Sequence, residues 1–321
     1  MAIHLDRLGH TVTLVPYRMD EAMHMTSRRE SPFLPGFHLP ERLQIGMELK
    51  PALLEAECCI IGAPSSFLRG VCRSIRAAAR DAARLRSVVL LTKGLEEESL
   101  LLSTKVAEEE LGDLYGVGIL SGPTFATQVA QGKPSAIVLA GNYAPELMRD
   151  LQQAMSGASL RVYSSDDMSG VCLGGSIKNV YAIAAGCCDG LELGDNTKAA
   201  LLTRSLAEMV RVGLALGGRM ETFFGLSGFG DLVLTCNGQE SRNRTFGEKI
   251  ARGVPIEELL ATGKTVEGYH SCQSFVDICQ RNGIDAPILM QVQALLFGGM
   301  KASDAIAALM SRDLKPEHPI R

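Results

Sequence analysis

The sequence has no excess of positive charge. Its 321 residues carry a net charge of −4 and a pI near 5.9. That excludes a broad surface for nucleic acid or anionic membrane and leaves room for a local basic pocket that takes a small anion. A basic n-region followed by an apolar h-region is missing, and no apolar run is long enough to span a bilayer, so neither secretion nor membrane insertion is expected. Nine cysteines occur, including the adjacent pairs Cys58-Cys59 and Cys187-Cys188, but there is no C-x-x-C and no Cys/His spacing of a zinc site. Reduced, buried thiols in a cytoplasmic protein follow, with no metal expected. Internal repeats and low-complexity tracts are not evident.

What is present is a globular composition, 46% hydrophobic and 21% charged, at a length that suits two domains. The first half alternates short apolar runs with helical spacing. Glu57 to Ala63, Ser87 to Leu91, Val117 to Leu120 and Ser135 to Ala140 read as buried strands, with helices over Phe67 to Leu85 and Leu100 to Leu111 between them. Strands separated by helices predict parallel pairing through right-handed crossovers. His24, in the Met-rich stretch Glu21 to Glu30, reads as an ordinary helix residue. From Val171 onward the pattern is helical, over Asn179 to Ala185, Lys198 to Leu216, Ile256 to Leu260, Cys272 to Asn282 and Ile288 to Phe297, punctuated by glycine.

The opening lacks a recognisable start. Ala2, Leu5 and Leu8 lie on one helical face, Gly9 stands where a C-terminal cap belongs, and Thr11 to Val15 reads as a strand. Two-domain nicotinamide dehydrogenases begin with a strand and a G-x-G-x-x-G turn ahead of such a helix, and no such turn precedes this one. The expected fold is α/β: a Rossmann-like doubly wound parallel sheet with its first strand missing, residues 1–170, then an all-helical substrate domain, residues 171–321. An ordinary capless helix in another α/β fold is the alternative. On the first reading the neighbours of the absent strand lose ladder partners, at ~1–3 kcal/mol for each unpaired buried group. Weak or absent cofactor binding and disorder or rearrangement near Met1 are then expected, from a start codon placed too late or a natural truncation.

Six stretches set glycine beside polar residues: LTKG (Leu91 to Gly94), SGPTFA (Ser121 to Ala126), LGGSIKN (Leu173 to Asn179), GLSGFGDLVLTC (Gly225 to Cys236), SRNRTFG (Ser241 to Gly247) and TVEG (Thr265 to Gly268). Lys178, just after a glycine pair at the start of an apolar helix, is either a solvated charge or a lysine made less basic by partial burial, able to exchange a proton with an alkoxide. Lys93 ends a strand at the carboxyl edge where ligands of open sheets bind, or is a surface charge. Gly122 permits close backbone approach and Thr124 can donate to a polar substrate, or SGPT is only a turn. Ser241, Arg242 and Asn243 suit a phosphate grip, though Ser241 could equally cap a helix. Asp231 follows a flexible turn and reads as a site acid or an N-cap. Arg18, after the second strand, can meet an adenosine 2′-phosphate.

With LGGSIKN, GFGDLVLTC and SRNRTFG in that order, the chain resembles bacterial NAD(P)-dependent glycerol-3-phosphate dehydrogenase from Met1 to about Pro316. The resemblance implies reversible reduction of dihydroxyacetone phosphate to sn-glycerol 3-phosphate for glycerophospholipid synthesis, with NADPH or NADH and a homodimer. It implies Lys178 as proton donor and acceptor. Substrate contacts would come from Lys93, Gly122, Thr124, Lys178, Asp231, Ser241, Arg242 and Asn243, and cofactor contacts from Arg18, Lys93, Ala126, Arg242, Thr265 and Glu267. Ala126 is equally consistent with packing, and Glu267 with a solvated helix start. Thr265 stands where the family often has valine. The Val-Pro-Tyr-Arg ahead of Met19 differs from the family's Trp-Gly, which leaves NADP against NAD open. Two rivals stand beside this reading: a related two-domain hydroxy-acid dehydrogenase, and a truncated remnant that binds substrate or a partner without turnover.

Overall fold

The structure is a computed structural model that describes residues 1–263, 265–314 and 316–317. Lys264, Lys315 and residues 318–321, all in the expected second domain, lie outside the described residues. The chain forms two compact units, Met1–Gly175 with Gly217–Asp231, and Ser176–Leu216 with Leu232 onward.

The first unit opens with α1 (Ala2–Arg7), β1 (Thr13–Leu14), α2 (Met19–Arg28), β2 (Glu30–Ser31), β3 (Leu34–His38), β4 (Gln44–Ile45) and α3 (Leu49–Glu55). It continues through β5 (Cys58–Ile61), α4 (Leu68–Ala78), β6 (Ser87–Leu90), α5 (Ser103–Leu111), β7 (Gly116–Ser121), α6 (Ala126–Ala130), β8 (Ser135–Gly141), α7 (Pro145–Met155) and β9 (Leu160–Ser165). His24 lies within α2, as its sequence context predicts. β5 to β9 form one sheet in chain order, and β1 pairs in parallel with β4 in a separate short ladder. The strands read from apolar runs all appear; β6 is buried at every residue, as a sheet covered on both faces requires. Val89, Leu120, Leu139, Leu151, Met155 and Leu160 form the core between this sheet and α7.

Two expectations need correction. The sheet is not wholly parallel: β8 runs antiparallel to β7, with Ile119 opposite Ala140, and β9 then runs parallel to β8. The cause lies in the connection. The only helix between β7 and β8 is the five-residue α6, ~7.5 Å long, too short to carry the chain back along a strand of ~20 Å. Nor is the start of the chain disordered. α1 is a regular helix, with Ile3 buried, His4 Nε2 2.9 Å from the Met155 carbonyl and Arg7 donating to the carbonyls of Val129 and Ala130.

α8 (Met168–Gly190) begins in the first unit and continues into the second. It is apolar enough to cross a membrane by length and composition, yet 94% of its most apolar window is buried, as in a core helix. After α9 (Gly194–Ala215) the chain returns to the first unit through α10 (Met220–Phe224) and a π-helical turn, Leu226–Gly230. The second unit resumes with α11 (Asp231–Asn237), whose first residue still belongs to the first unit, α12 (Arg242–Ala251), α13 (Ile256–Leu260), α14 (Glu267–Arg281), α15 (Pro287–Phe297) and α16 (Ala302–Met310). Glycine lets two of these helices touch backbone to backbone. A Cβ at Gly247 of α12 would stand 2.0 Å from the Ile183 carbonyl of α8, and one at Gly186 of α8 would stand 1.9 Å from the Arg244 carbonyl of α12. All nine cysteines are free and seven are buried.

Candidate active site

In the first unit the site is built at the carboxyl ends of β6 and β7. Lys93 leaves β6 two residues after Leu91, whose N–H donates to the Ile61 carbonyl of β5. Its Nζ lies 2.8 Å from Oδ2 of Asp231, which is 2% exposed. A π-helical turn is a frequent mark of a functional site, and here it delivers Asp231. Gly174 and Gly175 make the seat: a Cβ at 174 would stand 2.7 Å from the Ser227 carbonyl, and one at 175 would stand 3.2 Å from Cδ of Lys93. The glycine pair of LGGSIKN therefore admits the GFGD turn on one side and the Lys93 side chain on the other.

Gly122 follows β7 at φ +157° and is buried, with a Cβ there 3.2 Å from the Ala136 carbonyl. Thr124 is half-buried, its Oγ1 donating to the Gly122 carbonyl, and Ala126 is exposed at the start of α6. Arg18 is exposed at the N-cap of α2, where Nε and Nη2 grip both oxygens of Asp20 at 2.9 and 2.6 Å. One feature escaped the sequence reading. Tyr17 and Phe67, 79% and 53% exposed, stand 5.9 Å apart by ring centroids, just beyond β1 and β5 in the chain. Two solvated rings in contact make an apolar platform for a planar group. Nothing in the sequence pairs them, because Tyr17 sits in a bend and Phe67 ends a one-turn helix fifty residues later.

In the second unit Lys178 lies in α8, 6% exposed. Its neighbour Asn179 accepts a hydrogen bond from Nδ2 of Asn243 at 3.0 Å, and Oδ1 of Asn243 accepts from the Gly268 N–H at 2.9 Å. Gly268 is required at this contact, since a Cβ there would meet the Asn179 carbonyl at 2.4 Å. One amide thus joins LGGSIKN, SRNRTFG and TVEG. Asn243 is occupied with this bridge, and one Nδ2 hydrogen is left for a ligand. Ser241 caps α12, its Oγ accepting from the Arg244 N–H at 3.2 Å. Arg242, the next residue, is exposed. Arg244 is turned inward, donating to Asp189, which also accepts from Lys198 at 2.8 Å. These two cations hold the Asp189 carboxyl below its usual range against the opposing effect of burial. Glu267 opens α14 and Thr265 is half-buried just ahead of it. Among the described residues no group of His, Cys, Asp or Glu could hold a metal.

A strand–helix sheet with ligand-type residues at its strand ends, joined to a helical unit bearing a buried lysine, is the layout of the two-part nicotinamide-dependent oxidoreductases. Models of the N-terminus and C-terminus of NAD-dependent glycerol-3-phosphate dehydrogenase match residues 1–146 and 167–307. The chain belongs to the NAD-dependent glycerol-3-phosphate dehydrogenase family. It is 42% identical to the glycerol-3-phosphate dehydrogenase [NAD(P)+] of Cupriavidus necator, covering 91% of this chain and 88% of that one. The enzyme of the same name from Thioalkalivibrio sulfidiphilus is 42% identical, over 99% and 95%. The crystal structure of glycerol-3-phosphate dehydrogenase from Coxiella burnetii superposes with a TM-score of 0.91 at 37% identity, covering 97% of this chain and 94% of that one. These matches favour this family over a related hydroxy-acid dehydrogenase.

Proposed function

We propose that the chain interconverts dihydroxyacetone phosphate and sn-glycerol 3-phosphate, with Lys178 moving the proton at the C2 oxygen. The observation that carries this reading is the Asn179–Asn243–Gly268 bridge, which joins the three motifs that contain Lys178, Arg242 and Glu267. When bound, NADH or NADPH would supply the hydride for reduction, and NAD+ or NADP+ would accept it in the reverse direction. Burial fits Lys178 to general acid–base work, since the amine then meets few competing waters. Arg242, exposed at the first turn of α12, presents a donor fork to the substrate phosphate, and the helix N-terminus adds a favourable field. Lys93, held by Asp231, orients the polar end of the substrate. Gly122, Thr124 and the remaining Nδ2 hydrogen of Asn243 complete the contacts, while Ser241 contributes through the cap that orders Arg242.

The residues present fit a dinucleotide at its two ends. The Tyr17–Phe67 platform suits the adenine, and Arg18 a 2′-phosphate once Asp20 releases it. Ala126, Thr265 and Glu267 would add further cofactor contacts, Glu267 near the nicotinamide. A cytoplasmic homodimer serving glycerophospholipid synthesis is part of the same reading.

The test is nicotinamide absorbance after dihydroxyacetone phosphate is added to the purified chain with NADH or NADPH. Lys178→Ala should lower kcat by ~10²–10⁴-fold. Wild-type turnover in that variant would refute the assignment of the proton to Lys178.

A further inference from the structure

Between Lys93 and α5, residues 94–102 form neither helix nor extended ladder; their only strand-like contact is an isolated antiparallel bridge, Leu95 to Leu102. The segment also bends through Leu100 at φ +58°, a left-handed conformation that a leucine adopts only when its surroundings impose it. The loop's own bonds between Glu96 and Leu100 and Leu101 close this turn, and a side chain from outside the loop adds to them.

That outside hold is Arg69 on α4. Its Nε and Nη2 grip both oxygens of Glu96 at 2.8 and 2.7 Å, while Nη1 reaches Glu110 at 2.8 Å and Nη2 also reaches Glu109 at 2.9 Å. Glu96 passes the constraint on. Its carboxylate accepts from the Ser99 hydroxyl, whose oxygen accepts from the Leu101 N–H, and its backbone bonds to Leu100 and Leu101. Ser103 closes the loop, its N–H on the Gly94 carbonyl and its hydroxyl on the Thr92 carbonyl, either side of Lys93. Three carboxylates thus share one guanidinium; of the other cations nearby, Arg73, two-thirds exposed, bonds the carboxylate of Glu110 alone among them, and Arg76, of these three residues, bonds only the Glu110 carbonyl. A planar five-donor fork can grip one acid with two donors and still reach two more, whereas an ammonium has three donors in all and no fork.

We infer that Arg69 is a positioning residue for Lys93, acting through Glu96 and the 94–102 loop without touching substrate or cofactor. Without Arg69, like charges at Glu96, Glu109 and Glu110 repel, Glu96 leaves, and the loop relaxes. Lys93 has no slack to absorb this: its Nζ is fixed on Asp231 and its stem lies against Gly175. The inference rests on the reading of Lys93 as a ligand contact.

The test is steady-state kinetics on Arg69→Ala, Arg69→Lys, Glu96→Gln and the double variant Arg69→Ala/Glu96→Gln. Circular dichroism checks folding. Reductive methylation of Lys93, followed by mass spectrometry, reports its seat independently of turnover. Arg69→Ala should lower kcat/KM by about tenfold to a hundredfold, mainly through KM for dihydroxyacetone phosphate, as expected for a ligand contact displaced by an ångström. Arg69→Lys should recover part of the loss, Glu96→Gln should reproduce it, and the double variant should be no worse than Arg69→Ala. Lys93 should methylate faster in Arg69→Ala and in Glu96→Gln. Wild-type kinetics and methylation in folded Arg69→Ala would overturn the inference, as would additive single effects. If Arg69→Ala does not fold, unchanged KM and methylation in Glu96→Gln overturn it instead. Lys93→Ala separates the two readings. Full turnover there removes the role of Lys93 itself, whereas lost turnover beside a wild-type Arg69→Ala removes only the role of Arg69.

Discussion

Replacing Glu208 by glutamine should turn a pH-dependent stability into a flatter one. Glu208 sits on α9, 1% exposed, and accepts the N–H groups of Ile288 and Leu289 at 2.6 and 3.2 Å. Those donors belong to the first turn of α15, which has no side-chain cap of its own. Burial nevertheless pushes the carboxyl up, from 4.5 to about 7; the two backbone donors and Arg211 only partly oppose it, and Asp285 adds to it. The fully buried phenol of Tyr181 is raised too, by burial and then by the nearby Glu208. A lift from 4.5 to about 7 corresponds to ~3 kcal/mol, at ~1.4 kcal/mol per tenfold in the proton equilibrium.

The sign follows from which state holds the proton. Between 4.5 and about 7 the folded chain keeps a proton on Glu208 that the unfolded chain has released. Its contribution is therefore complete below 4.5, is lost as pH rises to about 7, and does not return above that. Glutamine, like the protonated carboxyl, offers one carbonyl acceptor to α15, but it brings a second N–H donor into a buried site, at ~1 kcal/mol. Glu208→Gln should thus be ~1 kcal/mol less stable than wild type at the acid end of the window and ~2 kcal/mol more stable at the alkaline end, so the two curves cross. Urea denaturation across the window reads both curves, and comparison with the variant cancels the other titrating groups. Parallel curves would refute the reasoning.

Arg242→Ala removes a charge-assisted donor fork worth ~1.5–3 kcal/mol, so KM for dihydroxyacetone phosphate should rise by ~10- to 150-fold with kcat little changed; initial-rate kinetics with an unchanged KM would contradict the phosphate assignment. Gly247→Ala puts a methyl 2.0 Å from the Ile183 carbonyl, and because α8 and α12 must part to admit it, a loss of ~1–3 kcal/mol or more is expected in denaturation. Arg18→Ala should narrow any preference for NADPH over NADH in parallel assays with the two cofactors; an unaltered preference would place the 2′-phosphate reader elsewhere.

Most of the first unit was legible in apolar runs. Cys58–Ile61, Ser87–Leu90, Gly116–Ser121 and Ser135–Gly141 are strands because short β-branched stretches ending in Gly or Pro fit buried ladders and little else. β9 went unread because its alternation spans only Leu160 to Tyr163 and then runs into Ser164 and Ser165, too short a pattern to mark an edge strand. The direction of β8 was not written in its own residues, since parallel and antiparallel strands share the same apolar run and the short α6 decides between them.

By itself, the sequence determined the order of strands and helices, the glycine-marked segments and the chemical kinds gathered in them, because propensity and periodicity are local. Tertiary structure decided what each polar residue does. Consecutive residues of SRNR point in directions ~100° apart around α12, so Arg242 faces solvent, Asn243 bridges α8 and α14, and Arg244 turns to Asp189, while Ser241 at the cap spends its hydroxyl on the helix. The same holds for Lys93, whose partner Asp231 and whose anchor Arg69 lie far from it in the chain. A residue's type limits which bonds it can make; which partner it meets depends on packing between elements distant in sequence, and that appears only when the chain is folded.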